Sequence, residues 1–283
     1  MNNTHGSPKQ NTLIGGKTYC WGSKTYVMGI INLTLDSFSG DGIGYDPEIA
    51  TKQALTFQEQ GADFIDVGGE STRPPNIYDN VRRISAEEEM QRVVPVIKLM
   101  SKELDIPISI DTYKSNVASH ALEAGASLIN DIWGLQNDDA MIDVVLEYSC
   151  PIIVMHNKKN NMYNNLVKDI KLKLNATIDY VVEKGVKKEN IILDPGIGFG
   201  KKPDQNIAVM KNLNEFGDLG QPLLIGTSRK SFIGHVLNRP IEDRLEGTAA
   251  TVALAIQSGV DIVRVHDVAE MVKVSKMADA ITR

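Results

Sequence analysis

YVMGIIN, residues 26–32, is an apolar run whose one strongly polar residue, Asn32, stands at its end. Val27, Ile30 and Ile31 are β-branched, and no polar residue alternates with them. That pattern predicts a strand buried on both faces rather than one side of an open sheet. A glycine-containing loop follows, and then Asp46 with Pro47, an N-cap residue followed by proline in the first turn of a helix.

Strand, loop and helix make a unit, and the unit recurs. Runs of the same kind span Asp63 to Val67, Pro107 to Asp111, Ser127 to Asp131, Pro151 to His156, Asn190 to Asp194, Pro222 to Gly226 and Asp261 to His266. Between them lie helix signals: Ser85 with Glu88 three positions on reads as a capping box. Leu245, Ala249, Val252 and Ile256 form one apolar stripe, and Val268, Met271, Val272 and Ser275 begin another. Pro95 falls inside a helical stretch and is expected to kink it.

Eight such units without a change of composition predict one α/β domain, a single closed (β/α)8 TIM barrel, because right-handed crossovers put every helix outside. The alternative, an open doubly wound sheet, would carry a glycine fingerprint after its first strand, and Asn32 to Asp41 has none. Residues 1–16 are expected to form a loose N-terminal tail and 17–283 the barrel domain, with Lys17 to Lys24 as a hairpin closing its bottom. The loops 33–45 and 68–85, after the first and second barrel strands, exceed the usual two to six residues and are expected to be lids.

The chain has 283 residues and a formal charge of −6, which argues against partners recognised through bulk positive charge, such as nucleic acid or anionic membrane. Cys20 and Cys150 are the only cysteines and suit a reducing cytoplasm without disulfides. No stretch approaches the length of a membrane span, and Met1 to Gln10 lacks the pattern of a signal peptide.

In such a barrel the active site gathers at the carboxyl ends of the strands. The residues there are Asn32, Glu70, Thr72, Arg73, Asp111, Asn130, Asp131, His156, Asp194, Ser228, Arg229, Lys230, Arg264 and His266. A lone aspartate after a strand is commonly a helix cap. A convergence of this many buried polar groups costs several kcal/mol unless they satisfy one another or a ligand. Two carboxylates, an amide and an ammonium suit a flat heterocycle with adjacent N–H donors, a pterin or purine edge. Arg264 and His266, two apart on one strand, share a face, and with Thr72 and Arg73 they suit a phosphate or diphosphate. Walker-type, zincin and nucleophile-elbow spacings are all absent.

The ordered segments MGIINLTLDSFS, DVGGESTRP, SIDTYK, INDIWG, IVMH, LDPGIGFGK, LLIGTSRKSFIG and VRVHDV, from about Val27 to Val272, closely resemble the dihydropteroate synthase family of pterin-binding barrels. The resemblance implies condensation of 6-hydroxymethyl-7,8-dihydropterin diphosphate with p-aminobenzoate in folate biosynthesis, by enzymes that sulfonamides target. It implies that Asp111, Asn130, Met155, Asp194 and Lys230 hold the pterin. Asn32, Thr72, Arg73, Arg264 and His266 would hold the diphosphate, with Asn32 also a ligand of Mg2+. Thr72, Pro74, Phe199, Lys230 and Ser231 would contact p-aminobenzoate. Lys230, Arg264, His266 and Asp111 would carry the chemistry, and a cytoplasmic homodimer is expected.

Three departures from the family pattern are Leu35 in Thr34-Leu35-Asp36, Gly40-Asp41 in the run Ser39 to Gly42, and Pro75 after Arg73-Pro74. The loop after the second barrel strand is also longer than is common in the family. Two rival readings are a methyltetrahydrofolate–corrinoid methyltransferase, which would have no use for the Ser-Arg-Lys-Ser run 228–231, and a non-catalytic pterin-binding barrel.

Overall fold

The computed structural model describes residues 9–34, 46–71 and 83–283. An antiparallel hairpin of β1 (Thr12–Ile14) and β2 (Lys17–Tyr19) comes first. Eight parallel strands follow: β3 (Tyr26–Asn32), β4 (Phe64–Gly68), β5 (Ile108–Asp111), β6 (Leu128–Asp131), β7 (Ile152–Met155), β8 (Ile191–Asp194), β9 (Leu224–Ile225) and β10 (Ile262–Val265). They lie in the order β8-β7-β6-β5-β4-β3-β10-β9. The ring closes between β8 and β9 through a single parallel bridge, Leu193 to Leu223, where Leu193 N donates to Pro222 O at 2.9 Å. This is the expected (β/α)8 barrel, and each strand falls within a residue of its apolar run.

The helices follow their strands: α1 (Pro47–Gln60), α2 (Ala86–Glu103), α3 (Ser115–Glu123), α4 (Met141–Tyr148), α5 (Leu166–Glu183), α6 (Pro203–Lys211), α7 (Ser231–Leu237), α8 (Leu245–Gln257) and α9 (Val268–Thr282). Asp46 caps α1, its Oδ1 accepting from Glu48 N at 2.9 Å and Ile49 N at 3.3 Å. Ser85 caps α2 by accepting from Glu88 N at 3.1 Å, while the Glu88 carboxylate accepts from Arg92 one turn on. Helix α2 runs unbroken through Pro95, which faces solvent. No helix among the described residues is long and apolar enough to cross a membrane.

Strand side chains alternate between two environments. Val27, Ile65, Val67, Ile110, Ile129, Val154, Leu193 and Val263 point outward into the layer between barrel and helices. Met28, Phe64, Leu128, Ile153, Ile192, Leu224 and Ile262 point inward and fill the lower barrel, together with Ile14, Tyr19, Trp21 and Tyr26. The hairpin is therefore the barrel's floor. The Tyr19 ring stacks on Phe64 with centroids 4.5 Å apart, and Trp21 Nε1 donates to Thr12 Oγ1 at 2.9 Å.

The hairpin begins earlier than the sequence led us to expect. Thr12–Ile14 is a paired strand rather than tail, and the turn is Gly15-Gly16 instead of lying between Lys17 and Lys24. Both glycines have positive φ, 55° and 77°, the conformation that a tight two-residue hairpin requires. Leu13 faces solvent while Ile14 is fully buried.

Candidate active site

The inward positions two residues above the apolar floor form a polar layer at the barrel mouth. Counting up from Phe64, Leu128, Ile153, Ile192 and Ile262 gives Asp66, Asn130, Met155, Asp194 and Arg264. On β5 the same layer holds Asp111, whose register partners are Gly68 on β4 and Asn130 on β6. Met155 lies beside Asp194 across β7 and β8.

Arg264 organises one side of this layer. Its Nε donates to Asp66 Oδ2 at 2.5 Å and its Nη2 to Asp111 Oδ2 at 2.8 Å, so one planar guanidinium bridges two carboxylates. Asn130 Nδ2 donates to the same Asp66 oxygen at 3.1 Å. The other oxygens, Asp66 Oδ1 and Asp111 Oδ1, are buried without a hydrogen-bond partner among the described residues. Each orphaned acceptor costs about 1–3 kcal/mol, which a ligand's N–H group would recover. Burial pushes the Asp111 carboxyl well above its usual range; the Arg264 charge opposes this and the Asp66 charge adds to it.

Asp194 and Lys230 occupy the other side. Asp194 Oδ1 accepts from Gly196 N at 2.6 Å. Burial raises the Asp194 pKa against the pull of Lys230. Burial also lowers the Lys230 ammonium to about 8, although Asp194 opposes the shift. Lys230 Nζ donates to Ile197 O and stands 4.7 Å from the centre of the Phe199 ring.

Matched to known families, residues 28–266 fall within the pterin binding enzymes. Dihydropteroate synthase of Clostridium beijerinckii is 51% identical over 271 residues, covering 95% of this chain and 99% of its own. The chain belongs to the dihydropteroate synthases. A dihydropteroate synthase from Clostridium difficile, crystallised in the presence of pteroic acid, superposes with a TM-score of 0.88 at 49% identity, covering 94% of this chain and 99% of that one. The Xanthomonas albilineans dihydropteroate synthase, solved with 4-aminobenzoic acid, gives 0.89 at 35% identity over 96% and 98%.

Within this dihydropteroate synthase barrel the residues singled out from the sequence divide. Asp111, Asn130, Met155, Asp194, Lys230 and Arg264 meet in the inward layer. His266 continues the inward face of β10, and its backbone N donates to Ser228 Oγ at 3.2 Å while its Nδ1 lies 2.9 Å from the same oxygen. The hydroxyl has a second acceptor site and one proton, so it holds Nδ1 in either tautomer and fixes the orientation of the ring. Asn32 ends β3, half-buried, and Ser231 opens α7. Thr72, Arg73, Pro74 and the departures at Leu35, Gly40, Asp41 and Pro75 lie outside the described residues.

Four of the strand-end residues serve the scaffold. Asp131 points away from the barrel axis and accepts from Trp133 N at 2.8 Å and Leu135 N at 2.7 Å, closing the turn after β6 rather than capping a helix, since α4 begins only at Met141. Arg229 pairs with Asp267. Glu70 accepts from Tyr113 Oη at 2.9 Å and Lys114 Nζ at 2.6 Å. His156, whose imidazole is held down to about 3 by burial and then by the Lys201 charge, is a neutral acceptor beside that lysine.

Sequence reasoning missed Asp66, a carboxylate inside the apolar stretch FIDVG, and Lys201 at the end of the glycine-rich loop. Asp66 had a signal: an acidic residue in a strand buried on both faces must have a cationic or donor partner inside the barrel.

Proposed function

We propose that the chain joins the exocyclic methylene of 6-hydroxymethyl-7,8-dihydropterin diphosphate to the amine of p-aminobenzoate, giving 7,8-dihydropteroate and diphosphate. The observation that carries this reading is the inward layer itself, with Asp111, Asn130, Asp194 and Lys230 around one mouth and two buried carboxylate oxygens awaiting donors. Asp194 suits the paired N–H edge of the pterin, and Lys230 suits its ring carbonyl. Met155, buried at the wall, offers an apolar contact to the ring face.

The C–O bond to diphosphate breaks first, its electron pair leaving with the phosphate oxygen while the electron-rich pterin stabilises the positive methylene. The aniline nitrogen then donates its lone pair to that carbon and loses a proton to the departed diphosphate or to solvent. Such a path needs positioning and charge stabilisation more than a general base. Lys230, the His266 imidazole and the donors of Arg264 left over from Asp66 and Asp111 would offset the charge growing on the leaving group. Phe199 and Ser231 would line the aniline side, together with Thr72 and Pro74, and Thr72 and Arg73 would add donors to the diphosphate.

Among the described residues no three His, Cys, Asp or Glu side chains converge as a metal cage. A Mg2+ ion held by substrate diphosphate with one neutral protein oxygen fits this set, and Asn32 at the mouth is the residue to provide it. The ion would withdraw electron density from the departing diphosphate. Leu254, Met277 and Ile281, exposed on α8 and α9, support pairing of two copies, which light scattering would register as twice the chain mass.

The test is diphosphate release from dihydropterin diphosphate with magnesium, with and without p-aminobenzoate. Aniline-dependent release with dihydropteroate formed is expected. Tight pterin binding without turnover would overturn the synthase reading in favour of a binding-only barrel. Replacing Asp194 by Asn should weaken pterin affinity about 10- to 100-fold, since hydrogen bonds to a charged group contribute about 1.5–3 kcal/mol. Calorimetric titration without the aniline measures it.

A further inference from the structure

Lys201 is a buried lysine outside the ligand-facing layer, and its ammonium is fully engaged. Nζ donates to Gly196 O at 2.8 Å and Phe199 O at 3.1 Å, and it lies 3.2 Å from His156 Nδ1. Two of these partners belong to the loop 195–200, and the third stands at the end of the neighbouring strand β7. An ammonium has three N–H donors, so each contact uses one.

The loop is pressed onto the segment that holds His156. A Cβ at Gly196 would lie 2.0 Å from His156 O, and one at Gly200 would lie 2.3 Å from Lys158 O. Asn206 Oδ1 accepts from Gly198 N at 2.7 Å, and Tyr163 Oη donates to Gly200 O at 2.9 Å. Lys230 grips the same loop from the mouth, through Ile197 O. The loop therefore sits between two lysines, and Phe199 is the residue whose carbonyl is tied to one and whose ring stands against the other.

We propose that Lys201 is a positioning residue for the aniline side of the site, setting the height of the Phe199 ring over Lys230 by holding the loop from beneath with His156 as its anchor. This rests on the synthase reading. Burial pushes the Lys201 ammonium down to about 7; the Asp194 charge opposes this and the like charge of Lys230 adds to it, while His156 is held neutral by its own burial.

Lys201→Met fills the same volume without the three donors. It should raise KM for p-aminobenzoate about 10-fold, the loss of roughly one charged hydrogen bond's worth of positioning. Affinity for dihydropterin diphosphate alone should stay within about 3-fold, inside the scatter of a neutral substitution. His156→Asn keeps an acceptor where Nδ1 stands and should retain the wild-type KM, whereas His156→Leu, which removes one of the three contacts, should raise it in the same direction as Lys201→Met and by less. The double variant Lys201→Met with His156→Leu should be no worse than Lys201→Met alone, as expected if His156 acts through the lysine.

An unchanged KM for the aniline, or equal losses for both substrates, would overturn the proposal. If Lys201→Met does not fold, the His156→Asn and His156→Leu pair carries the test, and equal KM values for the two would overturn it. A wild-type protein that forms no dihydropteroate would instead defeat the synthase reading, so the two failures are distinguishable.

Discussion

Asp66 carries more of the site than its place in the sequence suggests. It is fully buried, and one of its oxygens takes both the Arg264 Nε–H and the Asn130 amide. Asp66→Asn keeps the shape and removes the charge, leaving a buried guanidinium with one carboxylate in place of two. Breaking a buried pair in this way costs about 3–5 kcal/mol, and the exposed fifth of the Arg264 side chain places this one at the lower end. Urea denaturation should show a loss of about 3 kcal/mol, accompanied by a fall in kcat/KM as Arg264 and Asn130 lose their fixed orientation.

Lys230 gives the pH dependence its sign. Its ammonium is lowered to about 8 in the folded chain, below the 10.5 of a free lysine, so between these values the unfolded chain binds more protons. Stability contributed through this group therefore rises with pH across that window, as the burial penalty on the charge is relieved. On the proposed reading ligand binding should move the opposite way, because a neutral amine would no longer attract the pterin carbonyl or an anionic substrate. The thermal midpoint of wild type relative to Lys230→Met should climb from pH 8 to pH 10 while KM for both substrates rises.

At this scale the sequence was legible where a polar residue closed an apolar run. Asp111, Asn130, Asp194 and Arg264 could be placed at the mouth from position alone, since each is the last or next-to-last residue of its strand. Asp66 could not, because a strand buried on both faces shows no alternation from which its inward side can be read. Arg229 and Lys230 are neighbours with opposite duties. The left-handed backbone at Arg229, φ 57°, sends one side chain to Asp267 and the other into the barrel, and no pattern in Ser-Arg-Lys-Ser distinguishes them.

Among the elements, the loop 195–201 joins fold to chemistry most directly. Gly196 has φ +74° and no room for a Cβ, so Gly196→Ala should cost about 3 kcal/mol in stability from backbone strain and the clash with His156 O. It should also raise KM for the aniline more than for the pterin, and paired thermal melts and two-substrate kinetics would register both. Helix starts were readable at this scale because Asp46-Pro47 and Ser85 are local chemistry. The Gly15-Gly16 turn was equally local, yet it lay in a polar stretch of the chain that suggested a tail, and its strands are only three residues long.

For the molecule as a whole, the barrel interior divides into an apolar lower half and a polar upper half, and the hairpin closes the lower one. Deleting residues 1–19 would uncover Phe64, Met28 and Tyr26 and remove the Tyr19 ring from Phe64. Losing one aromatic and one isoleucine from a core costs about 5–10 kcal/mol by the usual truncation values, comparable to the whole stability of many domains. The shortened chain should bind a hydrophobic dye and melt well below the full chain. The eight-unit architecture was legible because each unit repeats the same signals. The capping of the floor was not, since it depends on contacts between residues far apart in sequence.

The narrowest point of the ring gives binding a second consequence. Strand β9 is two residues long, and it meets β8 through the one bridge at Leu193. Asp194 ends β8, and Lys230 lies a few residues beyond β9, so a pterin gripped by both, as proposed, would span that seam like a hoop drawn round a cask at its shortest stave. Occupancy would then be felt as hoop tension around the barrel: amide protons of residues 223–227 should exchange with solvent sooner than those of β4 or β5 in the empty barrel, and slow most when the pterin is bound.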